Sequence, residues 1–101
     1  DSYQGYYWRA NANTLLDPDL SKGLANDDYL KMIELLVASE DKDNQGKLIE
    51  AYRYFSIYYL YQFDANKQAD NKKKAKEYVN KVLQLKPDDD TSLKIIEVLN
   101  N

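Results

Sequence analysis

The sequence predicts an all-α fold in which about five antiparallel helices pair into hairpins. Only 3 Gly and 2 Pro occur among the 101 residues, so the chain has little of the turn chemistry that a fold of many short strands requires. Apolar side chains recur at the i, i+3, i+4 and i+7 positions that line one side of a helix. Two stretches of the chain also match each other at one constant shift, which indicates a repeated helical pair.

The first two predicted helices cover residues 2–16 and 27–39. Proline disfavours helical backbone in the residue before it, so the segment Asp17-Pro18-Asp19 ends the first helix after residue 16. Asn26 or Asp27 offers a side-chain N-cap for the second helix. The side chains expected on the buried side are Tyr3, Tyr6, Tyr7, Ala10 and Leu15 in the first helix, and Tyr29, Met32, Ile33, Leu36 and Val37 in the second.

The third predicted helix, residues 47–63, is rich in aromatic side chains. β-Strand is the competing interpretation, because Tyr and Phe favour strands. The stretch runs for 17 residues without a turn signal, however, and this length favours a helix. The aromatic residues expected in the core are Tyr52, Phe55 and Tyr59; those among which some surface is expected to stay exposed are Tyr54, Tyr58 and Tyr61.

Two further helices complete the predicted fold. Residues 64–71 are predicted as a polar linker, and the fourth helix covers residues 72–86, which Pro87 closes. The acidic residues 88–90 cap a last helix over residues 91–100. The side chains expected to be buried are Ala75, Tyr78, Val79, Val82 and Leu83 in the fourth helix, and Leu93, Ile95, Ile96, Val98 and Leu99 in the fifth.

The two helical pairs match at a constant shift of 46 residues. Residues 5–10 fall on residues 51–56, and the apolar positions of the second helix fall on those of the fourth. One shift that fits both helices of each pair indicates an internal repeat. The repeats are predicted at residues 2–41 and 47–87, and a capping helix at 89–100 follows them.

The second repeat resembles a tetratricopeptide repeat. Its matching residues are Tyr52, Phe55, Ser56 and Tyr59 in the first helix, then Ala75, Val79, Val82 and Pro87 in and after the second. The first repeat matches at Tyr6 and Ala10. It departs from the pattern at Arg9, Asn13 and Asp41. The repeat length also departs, because the family repeat has about 34 residues and this one has 46.

The resemblance implies a right-handed α-solenoid that acts as a protein-binding scaffold without catalytic activity. In that family the first helix of each repeat lines the ligand groove. Carried over by position, the groove residues are Tyr7, Asn11, Thr14, Arg53, Ile57, Leu60 and Tyr61, with Glu50 at the edge. Members of that family that bind the terminal carboxylate of a peptide do so with Lys, Asn and Arg side chains. Only Asn11 matches that set, so binding of chaperone C-terminal tails is not expected.

Composition narrows the possible functions. The chain has no Cys and no His, which removes thiol nucleophiles, imidazole bases and the usual zinc ligands. It carries 17 acidic and 14 basic residues, a net charge of −3, whereas nucleic-acid-binding domains are normally basic. No apolar run is long enough to span a membrane. We therefore expect a protein or peptide partner, no enzyme activity, no cofactor and no nucleic acid.

Three local patterns suggest other ligands. The loop from Asp41 to Gly46 imitates the start of a calcium loop, but its twelfth position is Tyr52 instead of a bidentate acid, so no calcium site is expected. The lysine cluster within residues 67–76 suggests contact with phosphate or a membrane, although a solvated helix face explains it better. The Tyr-rich third helix suggests a carbohydrate-binding or cell-surface module, which is the alternative function.

The first helix is expected to present large aromatic groups on its outer face. Tyr3, Tyr6 and Trp8 are the candidates, and such groups are costly to leave in water. The chain begins at Asp1 instead of Met, and we interpret it as a processed protein or a piece of a longer one. The expectation is therefore either further repeats before this chain or a weak homodimer through the first helical pair.

Overall fold

The structure is a computed structural model that describes residues 3–39 and 44–100. In this part of the chain the regular secondary structure is helical and contains no strand. The five helices are α1 (Tyr3–Leu15), α2 (Asn26–Ala38), α3 (Gln45–Asn66), α4 (Ala69–Leu85) and α5 (Asp90–Leu99). The all-α class and the five predicted helices are confirmed.

The predicted polar linker at residues 64–71 is wrong. Helix α3 continues to Asn66, and α4 begins at Ala69. Lys67 makes this short connection possible, because its backbone is left-handed, with φ of 58°. Its N–H donates to the Phe63 carbonyl at 2.7 Å, which satisfies the end of α3 as a left-handed C-cap does. Of the polar residues that suggested a linker, Asp64 and Asn66 lie exposed in the last turn of α3, and Asp70 lies exposed in the first turn of α4.

The predicted side-chain N-cap of α2 is also wrong. Ala25 holds the N-cap position, and no side chain there hydrogen-bonds to the first turn. Asn26 and Asp27 both lie inside the helix. The cap predicted for α5 is confirmed, since the Asp89 carboxylate accepts a hydrogen bond from the Ser92 N–H at 3.0 Å.

The connection between α1 and α2 is organised by the buried side chain of Asp17. Its carboxylate accepts hydrogen bonds from the Lys22 N–H at 3.1 Å and the Leu24 N–H at 3.3 Å. Leu20 lies between Asp17 and Lys22 in the chain; its backbone is left-handed, with φ of 57°, and its side chain is buried. This segment is therefore a fixed turn with its own hydrogen bonds.

The chain divides into two compact units, Asp1–Ala51 and Tyr52–Asn101, and the boundary between them lies inside α3. In the first unit α1 packs against α2. Its buried apolar residues are Ala10, Leu20, Ala25, Tyr29, Met32, Leu36 and Ala51. Two residues expected in this core are exposed instead, Leu15 at 81% and Val37 at 60%, while Ile33 is half-buried.

In the second unit α4 packs against both α3 and α5. Its aliphatic centre consists of Ala75, Val79, Ile95 and Leu99, against which Ile57, Tyr59, Leu60, Leu83 and Ile96 pack. The Tyr78 ring of α4 lies 5.0 Å from the Phe55 ring and 5.9 Å from the Tyr59 ring. Two residues predicted to be buried in α5, Leu93 and Val98, are exposed.

Helices α3 and α4 run antiparallel. Near the connection, the Lys72 ammonium lies 5.7 Å from the Phe63 ring centre. Further along α4, the Lys81 ammonium lies 5.6 Å from the ring of Tyr52, which is near the beginning of α3. Residues later in α4 therefore contact residues earlier in α3, which is the arrangement of antiparallel helices.

Candidate functional site

A polar cluster joins α1 to the first turns of α3 in the first unit. The Tyr7 hydroxyl donates to the Glu50 Oε1 atom at 3.2 Å, and the Lys47 ammonium donates to the Tyr7 hydroxyl at 3.0 Å. The same ammonium lies 3.5 Å from Glu50 Oε2. The hydrogen bond with Tyr7 is the main reason that the pKa of Lys47 is raised, so this side chain stays positively charged. Two predicted site residues, Tyr7 and Glu50, are thus brought together from positions 43 apart in the sequence.

Tyr29 lies beside this cluster and is buried. Burial raises the pKa of its hydroxyl, the Glu50 carboxylate adds to the rise, and a hydrogen bond with Thr14 opposes it. The phenol is therefore neutral near pH 7. The Thr14 hydroxyl also donates to the Ala10 carbonyl at 2.8 Å, and Asn11 is half-buried on α1. Tyr7, Lys47 and Glu50 bond to one another, which suits a structural tie more than acid–base chemistry.

Three of the four predicted site residues of the second unit, Arg53, Ile57 and Leu60, have structural roles. The Arg53 guanidinium is paired with the carboxylate of Asp89, the N-cap of α5. Ile57 and Leu60 are half-buried and pack against the aliphatic centre. Tyr61 has the largest exposure of the four, at 46%. Partner binding by the eight predicted residues stays a prediction.

The most exposed apolar surface of the first unit lies along α1. Trp8 is 71% exposed, Leu15 is 81% exposed and Leu16, just after the helix, is 69% exposed. With Ala12, which is also exposed, they occupy positions i, i+4, i+7 and i+8. This spacing places them on one side of the helix. We call Trp8, Ala12, Leu15 and Leu16 the α1 apolar stripe.

Only part of this surface was predicted from the sequence. Trp8 was expected on an outer face, whereas Leu15 was expected in the core and Leu16 was not assigned to either side. Apolar positions 8, 12, 15 and 16 form a second helical stripe beside the buried one, and that spacing was visible in the sequence. Lys47 was also missed, although its i, i+3 spacing to Glu50 indicates a helical ion pair.

The tyrosines of α3 offer little free surface. Tyr52 and Tyr54 are buried, and Tyr58 and Tyr59 are half-buried. The Tyr54 and Tyr58 rings stack on each other, with their centres 6.3 Å apart. The exposed aromatic surface expected among Tyr54, Tyr58 and Tyr61 is therefore found mainly at Tyr61.

The structure describes the calcium-like loop only in part. Asp41 and Asp43 lie outside the described residues, so the expectation of no calcium site stays a prediction. Among residues 3–39 and 44–100, no three acidic side chains converge closely enough to hold a metal ion. No helix within those ranges has both the length and the apolar character to cross a membrane.

Comparison with known proteins gives no further identification. No family model, curated protein or solved structure matches this chain. The resemblance to tetratricopeptide repeats therefore rests on the residues of the chain itself.

Proposed function

We propose that this chain is a helical protein-binding scaffold of the tetratricopeptide-like kind, and that the α1 apolar stripe is its main contact surface. The exposure of Trp8, Leu15 and Leu16 carries the proposal. A contiguous apolar surface on a folded protein usually marks an interaction site. Tryptophan is also the residue type most enriched among the side chains that dominate binding energy at interfaces.

A comparison of equivalent positions supports this choice of surface. Under the shift of 46, Trp8 corresponds to Tyr54. Tyr54 is only 7% exposed, whereas Trp8 is 71% exposed. The same position of the helical pair therefore holds a large aromatic side chain in both units, and it is covered in the second unit alone. A bound partner supplies the missing cover at Trp8.

The shape of the stripe indicates the kind of partner. Its residues span about two turns along one helix, which is the length that a partner helix contacts with its own i, i+3, i+4 and i+7 positions. We therefore propose a partner segment that is amphipathic and helical. The groove predicted from the family resemblance is the competing surface, and its α1 residues Tyr7, Asn11 and Thr14 lie on a different part of the same helix.

A displayed library of 16-residue peptides selected on the wild-type chain tests the proposal. Trp8 is the single Trp of the chain, so its fluorescence reports directly on the stripe. Selected peptides should have apolar residues at helical spacing and should shift the Trp8 emission to shorter wavelength. Their affinity, measured through a dye on the peptide because the variant lacks Trp, should fall at least tenfold with the double variant Trp8→Phe and Leu15→Ser.

Two matched variants show whether the peptides bind the α1 apolar stripe or the groove predicted from the family resemblance. Leu93→Ser with Val98→Ser removes exposed apolar groups from α5 and should leave peptide affinity within about twofold. Asn11→Ala with Tyr7→Phe alters the predicted groove. If only the groove variant weakens binding, the stripe is not the contact surface. If no peptide is enriched above an unrelated helical domain, the scaffold function itself is not supported.

The alternative function, a carbohydrate-binding or cell-surface module, finds less support. Sugar stacking needs flat aromatic faces that are open to solvent. On α3 the tyrosine most open to solvent is Tyr61, because the rings of Tyr54, Tyr58 and Tyr59 pack against aromatic neighbours. Binding on a glycan array that is lost with Tyr61→Ala but kept in the Trp8 and Leu15 variant would favour this alternative.

A further inference from the structure

A second surface, of different chemistry, lies on α4 in the second unit. Lys72, Lys73 and Lys76 border an open groove along one side of this helix, together with Ala69, Glu77 and Asn80. Positions 69, 72, 73, 76 and 80 recur at helical spacing, so they form one continuous face. We call Lys72, Lys73 and Lys76 the α4 lysine face.

The charges of this face are left largely uncompensated. The ion pair on the first turns of α4 joins Lys74 to Asp70 at 3.5 Å, and it lies on another side of the helix. Within residues 3–39 and 44–100, neither Lys73 nor Lys76 forms an ion pair. Lys72 has the Phe63 ring as its neighbour, at 5.7 Å. Glu77 is the one acid at the groove.

This arrangement costs folding stability. Lys72 and Lys76 are an i, i+4 pair of like charges, and Lys73 and Lys76 are an i, i+3 pair. Such pairs destabilise a helix, and a counter-charge from a bound molecule removes this penalty.

We infer that the α4 lysine face binds an acidic segment of a partner protein. From Lys72 to Asn80 the groove beside the face is about 12 Å long at 1.5 Å per residue, which is the length of about four extended residues. Two or three carboxylates on such a segment can face the three ammonium groups. Glu77 and Asn80 mark the end of the face, since Glu77 repels a carboxylate placed beside it.

The size and composition of the face argue for a short acidic segment over a nucleic acid or a membrane. Both of the latter present extended arrays of negative charge, and the whole chain carries a net charge of −3 that repels them. The face also has only Lys, whereas phosphate recognition often uses the bidentate fork of Arg. A short segment meets the local positive charge, because charges beyond about 8 Å are screened at physiological salt.

Fluorescence anisotropy with a labelled peptide of four Glu residues flanked by Gly and Ser tests this inference. The wild-type chain should bind the peptide at low salt, and binding should weaken as salt is added. The variant Lys72→Gln, Lys73→Gln, Lys76→Gln should bind at least tenfold more weakly. Lys and Gln have similar helix propensity, so the helix should persist, and circular dichroism checks this.

A matched variant separates the effect of this face from the effect of net charge. The triple variant Lys22→Gln, Lys31→Gln, Lys94→Gln removes an equal number of positive charges outside the face, and it should keep the peptide affinity within about twofold. Equal losses in the two triple variants, or no binding by the wild type at low salt, would overturn the inference. The inference would also be overturned if the chain bound single-stranded DNA or phosphatidylserine vesicles more tightly than the peptide and lost that binding in the lysine-face variant. The inference goes beyond the proposed function, because it concerns a surface on α4 and its test does not depend on Trp8 or on the α1 apolar stripe.

Discussion

The two units differ in the chemistry that stabilises them. Arg9 and Phe55 occupy equivalent positions under the shift of 46. Arg9 is bonded to the buried Asp28 carboxylate at 2.8 Å, and its own side chain is 64% exposed. Phe55 is 1% exposed and packs against Tyr54, Tyr59 and Tyr78. The first unit is therefore held partly by polar links, and the second mainly by aromatic and aliphatic packing.

This contrast predicts that the second unit loses more from a single truncation. Phe55→Ala should lower the free energy of unfolding by about 3–5 kcal/mol, because it leaves a cavity among packed rings. Arg9→Ala should cost about 1 kcal/mol, since the pair is solvent-screened and Asp28 keeps its hydrogen bond from Asn13. Urea unfolding measures both. Equal losses would mean that the two units do not differ in this way.

The pair Trp8 and Tyr54 tests the same contrast at the next position. Tyr54→Ala should cost roughly 2–4 kcal/mol because the side chain is buried. Trp8→Ala should change stability by less than about 0.5 kcal/mol in the unbound monomer. Acrylamide should quench the Trp8 fluorescence efficiently before a partner is added. Sedimentation is the control, because self-association through α1 would protect the indole.

The starts of α5 and α2 differ as well, and the difference concerns capping. Asp89 caps α5 with its side chain, whereas Ala25 offers α2 no such bond. Asp89→Ala should cost about 1 kcal/mol for the cap, and the loss of the Arg53 partner adds to it. Amide hydrogen exchange should show the first turn of α5 opening more readily. Unchanged exchange there would assign the stability of α5 to its apolar side alone.

Asp89 also links stability to pH. Burial opposes ionisation of its carboxyl, but hydrogen bonds from Arg53 and Ser92 outweigh burial and lower its pKa. A depressed pKa contributes stability above the unfolded value, near 3.9, and that contribution disappears as pH falls through the folded value. The wild type should therefore lose stability below about pH 4. Asp89→Asn should flatten this part of the profile, and unchanged slopes would contradict the assignment.

The smallest predicted effect concerns opposite charges at equivalent positions. Asp27, in the first turn of α2, corresponds to Lys73 in α4. Lys73→Glu should change the stability of the chain by less than about 0.3 kcal/mol, since the new carboxylate attracts Lys76 but repels Asp70 and Glu77. Asp27→Lys should lower the stability by about 0.3–0.5 kcal/mol, because it places positive charge in the first turn of α2 and opposite Lys31 at i, i+4. Thermal melts at low and high salt provide the measurement, and both effects should shrink as salt is added.

Periodicity was enough to predict the helices, because 3.6-residue spacing is a local property. The error at residues 64–71 has a local cause too: polar side chains on the exposed side of a helix resemble those of a loop. The exposure of Val37 and Val98 could not be predicted from the sequence, since burial depends on neighbours that come from other helices. The same holds for the site. Tyr7 and Glu50 were each predicted, but their hydrogen bond spans 43 residues and depends on packing.

Leu20 restricts which residues evolution can place in the turn between α1 and α2. Its left-handed backbone disfavours residues branched at Cβ, such as Val and Ile, while its buried side chain excludes polar replacements. Glycine fits the backbone but gives up the apolar burial. Met, which is unbranched at Cβ and apolar, is the natural substitute. Position 20 should therefore vary little among homologues, although it lies in a connection, where substitutions are usually tolerated.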